Sequence, residues 1–212
     1  MSSKVVVFQG DSITDCGRNR TVAEPNVGLG SGYPSLVAAR LLGDHPLDDY
    51  RCYNRGNSGD RVVDLYARWK ADTLFLRPDV LSILIGVNDT WHEYMEHPNG
   101  VEVPRYKMIY EMLLEWTRKV LPETKLVLCE PFGVHNTIGD AKWADEMRQR
   151  AEIVRELARK FDAHFVPMAQ VLDEAKARGV APEKLSGDGV HPALTGHQLL
   201  ADAWLKATRD LF

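Results

Sequence analysis

The chain has 212 residues, of which 44% are hydrophobic and 26% charged, with a formal net charge of −4. This balance suits a folded chain with one core and excludes a disordered one, so one domain over 1–212 is expected. Acidic and basic residues are mixed throughout, which leaves no basic face for nucleic-acid phosphates.

The chain opens with Lys4 and a short apolar run over 5–8 before polar Gln9. That run is too short for the apolar region of a signal peptide, and no other run reaches membrane-spanning length. A cytoplasmic protein with no membrane partner is expected. Cys16, Cys52 and Cys129 are odd in number and far apart, which fits three reduced thiols and neither a disulfide framework nor a metal motif.

In chain order, 5–8 predicts a first strand, four apolar residues in a row as in a sheet covered on both faces. A helix over 34–42 follows, then a short strand at 52–53 and a helix over 62–76. The run 80–85 predicts a third strand. Ile109, Met112, Leu113, Trp116 and Val120 fall on one helical face. A fourth strand is expected at 126–129. Met147, Ala151, Val154, Ala158 and Phe161 repeat the helical spacing before a fifth strand at 164–167. A helix over 169–178 and a last one through Leu200, Ala203, Ala207 and Leu211 complete the order. Methionines and tryptophans on these stripes are expected in the core. Alternating β and α elements predict a three-layer α/β/α sandwich around a parallel sheet.

In such a sheet, chemistry sits at the carboxyl ends of the strands. Four polar segments qualify. Gly10-Asp11-Ser12-Ile13-Thr14-Asp15 follows the first strand, the 54–60 segment the second, and Gly86-Val87-Asn88-Asp89 the third. Asp188-Gly189-Val190-His191 precedes the last helix. The first three also read as turns with helix caps. The fourth is more telling. Asp and His three apart on a tight turn can face each other, so that the carboxylate accepts the Nδ1 proton. The imidazole Nε2 is then left to take a proton from a hydroxyl.

Together and in this order, the four segments resemble the sequence blocks of the SGNH (GDSL-type) serine hydrolases. The resemblance implies a flavodoxin-like sandwich, with Ser12 as nucleophile and Asp188 and His191 completing a triad. It implies an oxyanion hole of the Ser12 and Gly59 backbone N–H groups and the Asn88 amide, and no metal or organic cofactor. The stretch from Gly10 to Arg18, the Gly28-Leu29-Gly30-Ser31-Gly32-Tyr33 loop and the 86–91 segment further resemble a subgroup of carbohydrate acetyl (acetylxylan) esterases. That likeness implies a small acyl ester substrate, an acetylated sugar by preference, with Trp91 and Tyr94 offering a surface for a sugar ring. Asp11, beside the serine, joins them as a candidate substrate contact. A homo-oligomer would suit a site rim completed by a neighbouring subunit.

Other patterns carry less. Gly28, Gly30 and Gly32 lack the Lys-Ser/Thr pair of a phosphate loop and do not directly follow a strand, so a flexible rim to the site is expected there. His92 and His97 lie five apart, which turns their imidazoles about 140° from each other on a helix and prevents a shared zinc. His45, His164 and His197 show no partner in the sequence, while His135 lies after the fourth strand, where it could reach substrate. The charged stretch 145–159 reads as a solvated helix face. The rival readings are a lysophospholipase or thioesterase with a longer acyl pocket, and a non-catalytic carbohydrate-binding protein on the same fold.

Overall fold

Strand residues alternate between two cores. In a computed structural model, residues 3–134 and 141–212 are described. β1 (Ser3–Gly10) sends Val6 and Phe8 to one face and Val7 to the other. β3 (Val80–Leu84) and β4 (Lys125–Cys129) do the same: Val80, Leu84, Val127 and Cys129 face one core, and Leu81, Ile83, Leu126 and Leu128 the opposite one. A pleat of period two, apolar on both sides, requires helices on both sides.

β2 (Asp49–Asn54) and β5 (His164–Val166) form the two edges, and all five strands pair in parallel in the order β2-β1-β3-β4-β5. This is the flavodoxin-like order, whose switch point lies between β1 and β3. α2 (Tyr33–Asp44), α7 (Met168–Ala177) and α9 (Leu194–Ala207) cover one face; α3 (Val62–Asp72) and α5 (Val103–Val120) cover the other. α6 (Ala141–Lys160) reaches both cores, through Trp143 and Met147 on one side and Ile153, Val154 and Leu157 on the other. Three helices of four or five residues complete the chain at loop positions: α1 (Ser12–Asp15), α4 (Val87–Trp91) and α8 (Pro182–Leu185). Among the described residues, no helix is long and apolar enough to cross a membrane.

Two buried indoles join elements through their polar tips. Trp204 Nε1 donates to Ser82 Oγ at 2.9 Å, tying α9 to the central strand, and Trp69 Nε1 donates to Thr117 Oγ1 at 3.0 Å, tying α3 to α5. Each bond lets an aromatic of large buried area enter the core without an orphaned N–H.

The structure corrects the expected face of α5. It buries Tyr106, Tyr110, Leu113, Leu114 and Thr117, whereas Met112 and Val120 are exposed and Ile109 and Trp116 only partly covered. Polar atoms explain the error: Tyr106 Oη donates to the Ile85 carbonyl and Thr117 accepts the Trp69 bond, so residues that read as solvent-facing are satisfied inside. A second correction falls on α6. Within the stretch expected to be a solvated face, Arg150 is fully buried, with Nε on Thr90 Oγ1 and Nη2 on the Val101 carbonyl, both at 2.6 Å.

Candidate active site

Ser12 stands at the carboxyl end of β1, where the chain turns at once into the single turn of α1. Asp11 caps that turn by accepting the Ile13 N–H at 2.9 Å, and Cys16 closes it in a left-handed conformation. On the far side of the site, residues 186–192 form a tight loop pinned by a bridge between Ser186 and Pro192. Within it, Asp188 Oδ1 accepts the N–H groups of Val190 and His191 at 2.9 and 2.8 Å and the Ser186 hydroxyl at 3.1 Å. Its other oxygen lies 2.6 Å from His191 Nδ1.

That contact assigns the imidazole proton to Nδ1, so Nε2 accepts. The Ser12 hydroxyl lies 2.8 Å from Nε2 and donates to it. Burial by itself would raise the Asp188 pKa. The His191 hydrogen bond and the two backbone N–H groups outweigh it and hold the carboxyl well below the usual carboxylate range. Asp188 is therefore ionised at neutral pH. Both side chains are about half exposed, so the site is open to solvent.

Gly59 lies in the turn after β2. Its φ of +86° is a left-handed value that a side chain would strain, and the turn is anchored to α1 because the N–H and hydroxyl of Ser58 donate to Asp15. Gly56, three residues earlier, packs so closely on α1 that a Cβ would come within 2.3 Å of the Asp15 nitrogen. Asn88 is the second residue of α4. Its Nδ2 donates one hydrogen to the Asp60 carbonyl at 3.0 Å, which leaves the second amide hydrogen for another acceptor. Nothing among the described residues accepts from the N–H of Ser12 or of Gly59.

α4 is clamped from two sides. The Asp89 carboxylate accepts the first N–H of α3, at Val62, and the Thr90 hydroxyl receives the Arg150 guanidinium. Trp91, at its end, brings its ring to 6.0 Å from the His191 ring, and so forms a wall beside the imidazole.

The other expected substrate contacts fare differently. Tyr94 sits one short 3-10 turn further on, partly buried against the core under α2 and α9. Asp11 does not face the opening. Its carboxyl is wholly enclosed by its role as the α1 cap, which corrects its expected place as a substrate contact. Burial pushes its pKa up to about 7 against the Ile13 hydrogen bond, with the Asp89 and Asp60 charges adding to the rise. Asp89, also buried, is pushed up to about 7. Among the remaining histidines, His197 is a satisfied core residue: Nδ1 accepts the Tyr33 N–H and Nε2 faces Cys16 Sγ at 3.4 Å. His164 pairs with Asp210 and His45 with Asp48. His135 lies outside the described residues.

Sequence reading missed the charges beneath the site, namely Asp15, Asp60, Asp89, Arg68 and Arg150. Asp15, Asp60 and Asp89 stood inside inspected segments, but the partners that hold Asp89 and Arg150 in place, Val62 for the one and Thr90 and Val101 for the other, lie far away in the chain. A surface groove of about 990 Å³ between α2 and α9 contains none of the site residues.

Comparison with known proteins agrees with this architecture. The profile of the GDSL-like lipase/acylhydrolase family matches residues 8–199. An acetylxylan esterase from Geobacillus stearothermophilus is 36% identical over 211 residues, covering 97% of this chain and 94% of that protein. Its crystal structure superposes with a TM-score of 0.88. A GDSL-like lipase structure from Parabacteroides merdae is 43% identical, with a TM-score of 0.91 over 98% of this chain and 96% of that one. An α/β hydrolase from the metagenome of Lake Arreo reaches 0.89 at 31% identity, covering all of this chain and 98% of that one. The chain therefore belongs to the GDSL-like lipase/acylhydrolase family and is a carboxylic ester hydrolase.

Proposed function

We propose that this esterase removes small acyl groups, acetyl foremost, from carbohydrates through an acyl-serine intermediate. The observation that carries the reading is the continuous chain from the Ser12 hydroxyl through His191 to Asp188, at 2.8 and 2.6 Å, with the Trp91 ring beside the imidazole.

The Ser12 oxygen attacks the ester carbonyl as its proton passes to His191 Nε2, and Asp188 stabilises the imidazolium that results. The carbonyl oxygen becomes an oxyanion. The Ser12 and Gly59 N–H groups and the second Asn88 amide hydrogen are the donors suited to receive it. Collapse of this intermediate breaks the bond to the sugar oxygen, which leaves with the proton held on Nε2. Water then attacks the acyl-serine as its proton passes to His191, and acetate and the free serine form. Two features favour a carbohydrate ester: an indole beside the imidazole can cover an apolar sugar face, and a half-exposed His-Asp pair admits a bulky alcohol portion. The similarity to an acetylxylan esterase points the same way.

The test is a panel of aryl esters of increasing acyl length alongside acetylated xylo-oligosaccharides. The expected result is a sharp fall in kcat/KM beyond acetyl or propionyl, with efficient deacetylation of the sugars. A preference for octanoyl or longer chains would overturn the proposal in favour of a lipid or thioester substrate.

A further inference from the structure

Outside the triad, one largely covered cation bonds to the segments that follow β1 and β2. Arg68 lies in α3, about four-fifths covered. Its Nε donates to Asp60 Oδ2 at 2.6 Å and its Nη2 to the Gly10 carbonyl at 3.2 Å. Nη1 is shared between the Arg55 carbonyl at 2.9 Å and Asp72 Oδ2 at 3.0 Å. Gly10 leads into Asp11 and Ser12. Arg55 and Asp60 are the two ends of the stretch that carries Gly59. Asp60 also presents its backbone carbonyl to the Asn88 amide, and its second carboxylate oxygen accepts from Asn57 Nδ2 at 2.7 Å.

We infer that Arg68 is a positioning residue that sets the geometry of the oxyanion hole, holding the Ser12, Gly59 and Asn88 segments in mutual register through Gly10, Arg55 and Asp60. This rests on the hydrolytic reading above. The three oxyanion donors arise at the ends of three different strands, and their segments are joined in pairs, by the Asn57 N–H on the Gly10 carbonyl, by Ser58 on Asp15 and by the Asn88 amide on the Asp60 carbonyl. One rigid guanidinium reaches all three segments at once, directly or through Asp60. A lysine has three donors on a single point and cannot span acceptors so far apart. Arg68 touches neither the hydroxyl nor the imidazole, so it acts through the spacing of the segments and not on the reacting groups themselves. What it alters is the fit to a charge that exists only in the transition state.

The test compares Arg68→Met, Arg68→Lys and the double variant Arg68→Met with Asp60→Asn, which removes the carboxylate that would otherwise be left unpaired. The control is Arg118→Met. Arg118 also binds loop carbonyls, at Thr124 and Phe161, but at the opposite end of the sheet. Measured are kcat and KM for an aryl acetate, melting temperature, and affinity for a small boronic acid. Its boron accepts the Ser12 Oγ electron pair while the proton passes to His191, so that the adduct presents a tetrahedral oxygen to the hole.

In folded Arg68→Met, and equally in the double variant, kcat is expected to fall roughly 10²-fold, the scale of an ~1 Å misplacement. KM should stay within about threefold, and boronate affinity should fall in parallel with kcat. Arg68→Lys should recover part of the loss and decides the matter should neither methionine variant fold. Arg118→Met should lower the melting temperature yet keep kcat per folded molecule within about threefold. The inference is overturned if the Arg68 variants keep kcat within threefold of wild type, or if kcat falls while boronate affinity is unchanged. Should Ser12→Ala and Asn88→Ala themselves retain activity, the hydrolytic reading fails. Should those collapse while the Arg68 variants do not, only the role of Arg68 fails.

Discussion

Ser12, His191 and Asp188 form one hydrogen-bonded line, but what singles out Asp188 is how fully it is used: one oxygen takes two backbone N–H groups and a hydroxyl, and the other takes the imidazole. Asp188→Asn would offer an N–H where Nδ1 needs an acceptor. The wrong tautomer then follows, and kcat is expected to drop by up to about 10⁴-fold, the scale of the same substitution in a serine protease. Ser12→Ala should lower kcat by roughly 10³-fold or more with an unchanged circular dichroism spectrum. Activity within tenfold of wild type, free of contaminating esterase, would remove Ser12 from its role. Asn88 separates two readings. As an oxyanion donor it acts only when charge develops, so Asn88→Ala should lower kcat by roughly 10²- to 10³-fold with KM little changed. Asn88→Asp, nearly isosteric but negative, should be at least as damaging. Near-normal kcat in Asn88→Asp at neutral pH would exclude Asn88 from the hole.

At the scale of elements, the site exists because three strand ends converge at the β1/β3 switch point and a separate loop before α9 brings the base. The turn bearing Gly59 is seated on α1 through Gly56, where an added methyl meets backbone and not a yielding side chain. Gly56→Ala should therefore cost both stability and activity, measured by melting temperature and kcat together. Gly59→Ala, with open space around its Cβ position but a positive φ, should strain the turn and lower kcat with a smaller loss of stability. Strand positions and the four polar segments were legible because short continuous apolar runs and clustered Gly, Asp, Asn and Ser are local signals. β2 reads as only 52–53 from sequence, since Asp49 and Arg51 meet solvent and Asn54, though buried, is polar and bonds to the Thr14 and Leu29 carbonyls. Asp11 reads as a substrate contact because sequence shows its neighbour Ser12 but not the N–H of Ile13 that encloses it. Arg150 reads as solvated because its partners, Thr90 and Val101, lie far away in the chain.

The molecule as a whole carries charge inside, under its catalytic edge. Asp11 and Asp89 hold a proton in the folded state up to about pH 7, far above their range in an unfolded chain. A folded state that binds the proton more tightly loses stability as pH rises from about 4 to about 7, and the loss is complete above that. Asp11→Asn keeps an oxygen for the Ile13 N–H and removes the titration. Its melting temperature relative to wild type should rise between pH 5 and pH 8, by ~2–4 °C for each ~1 kcal/mol gained. A constant difference across that range would show that Asp11 ionises normally. Two buried acids near Ser12 and a well-satisfied Asp188–His191 pair are compatible because the pair faces solvent while the acids face the core. The hydrolytic claim itself is tested most directly by mass spectrometry of the whole protein after reaction with a fluorophosphonate, followed by mapping of the modified peptide. One phosphonyl group per chain on Ser12, formed in step with loss of esterase activity and absent in Ser12→Ala, is the expected result. Stoichiometric labelling at another residue, or full activity in the labelled protein, would contradict it.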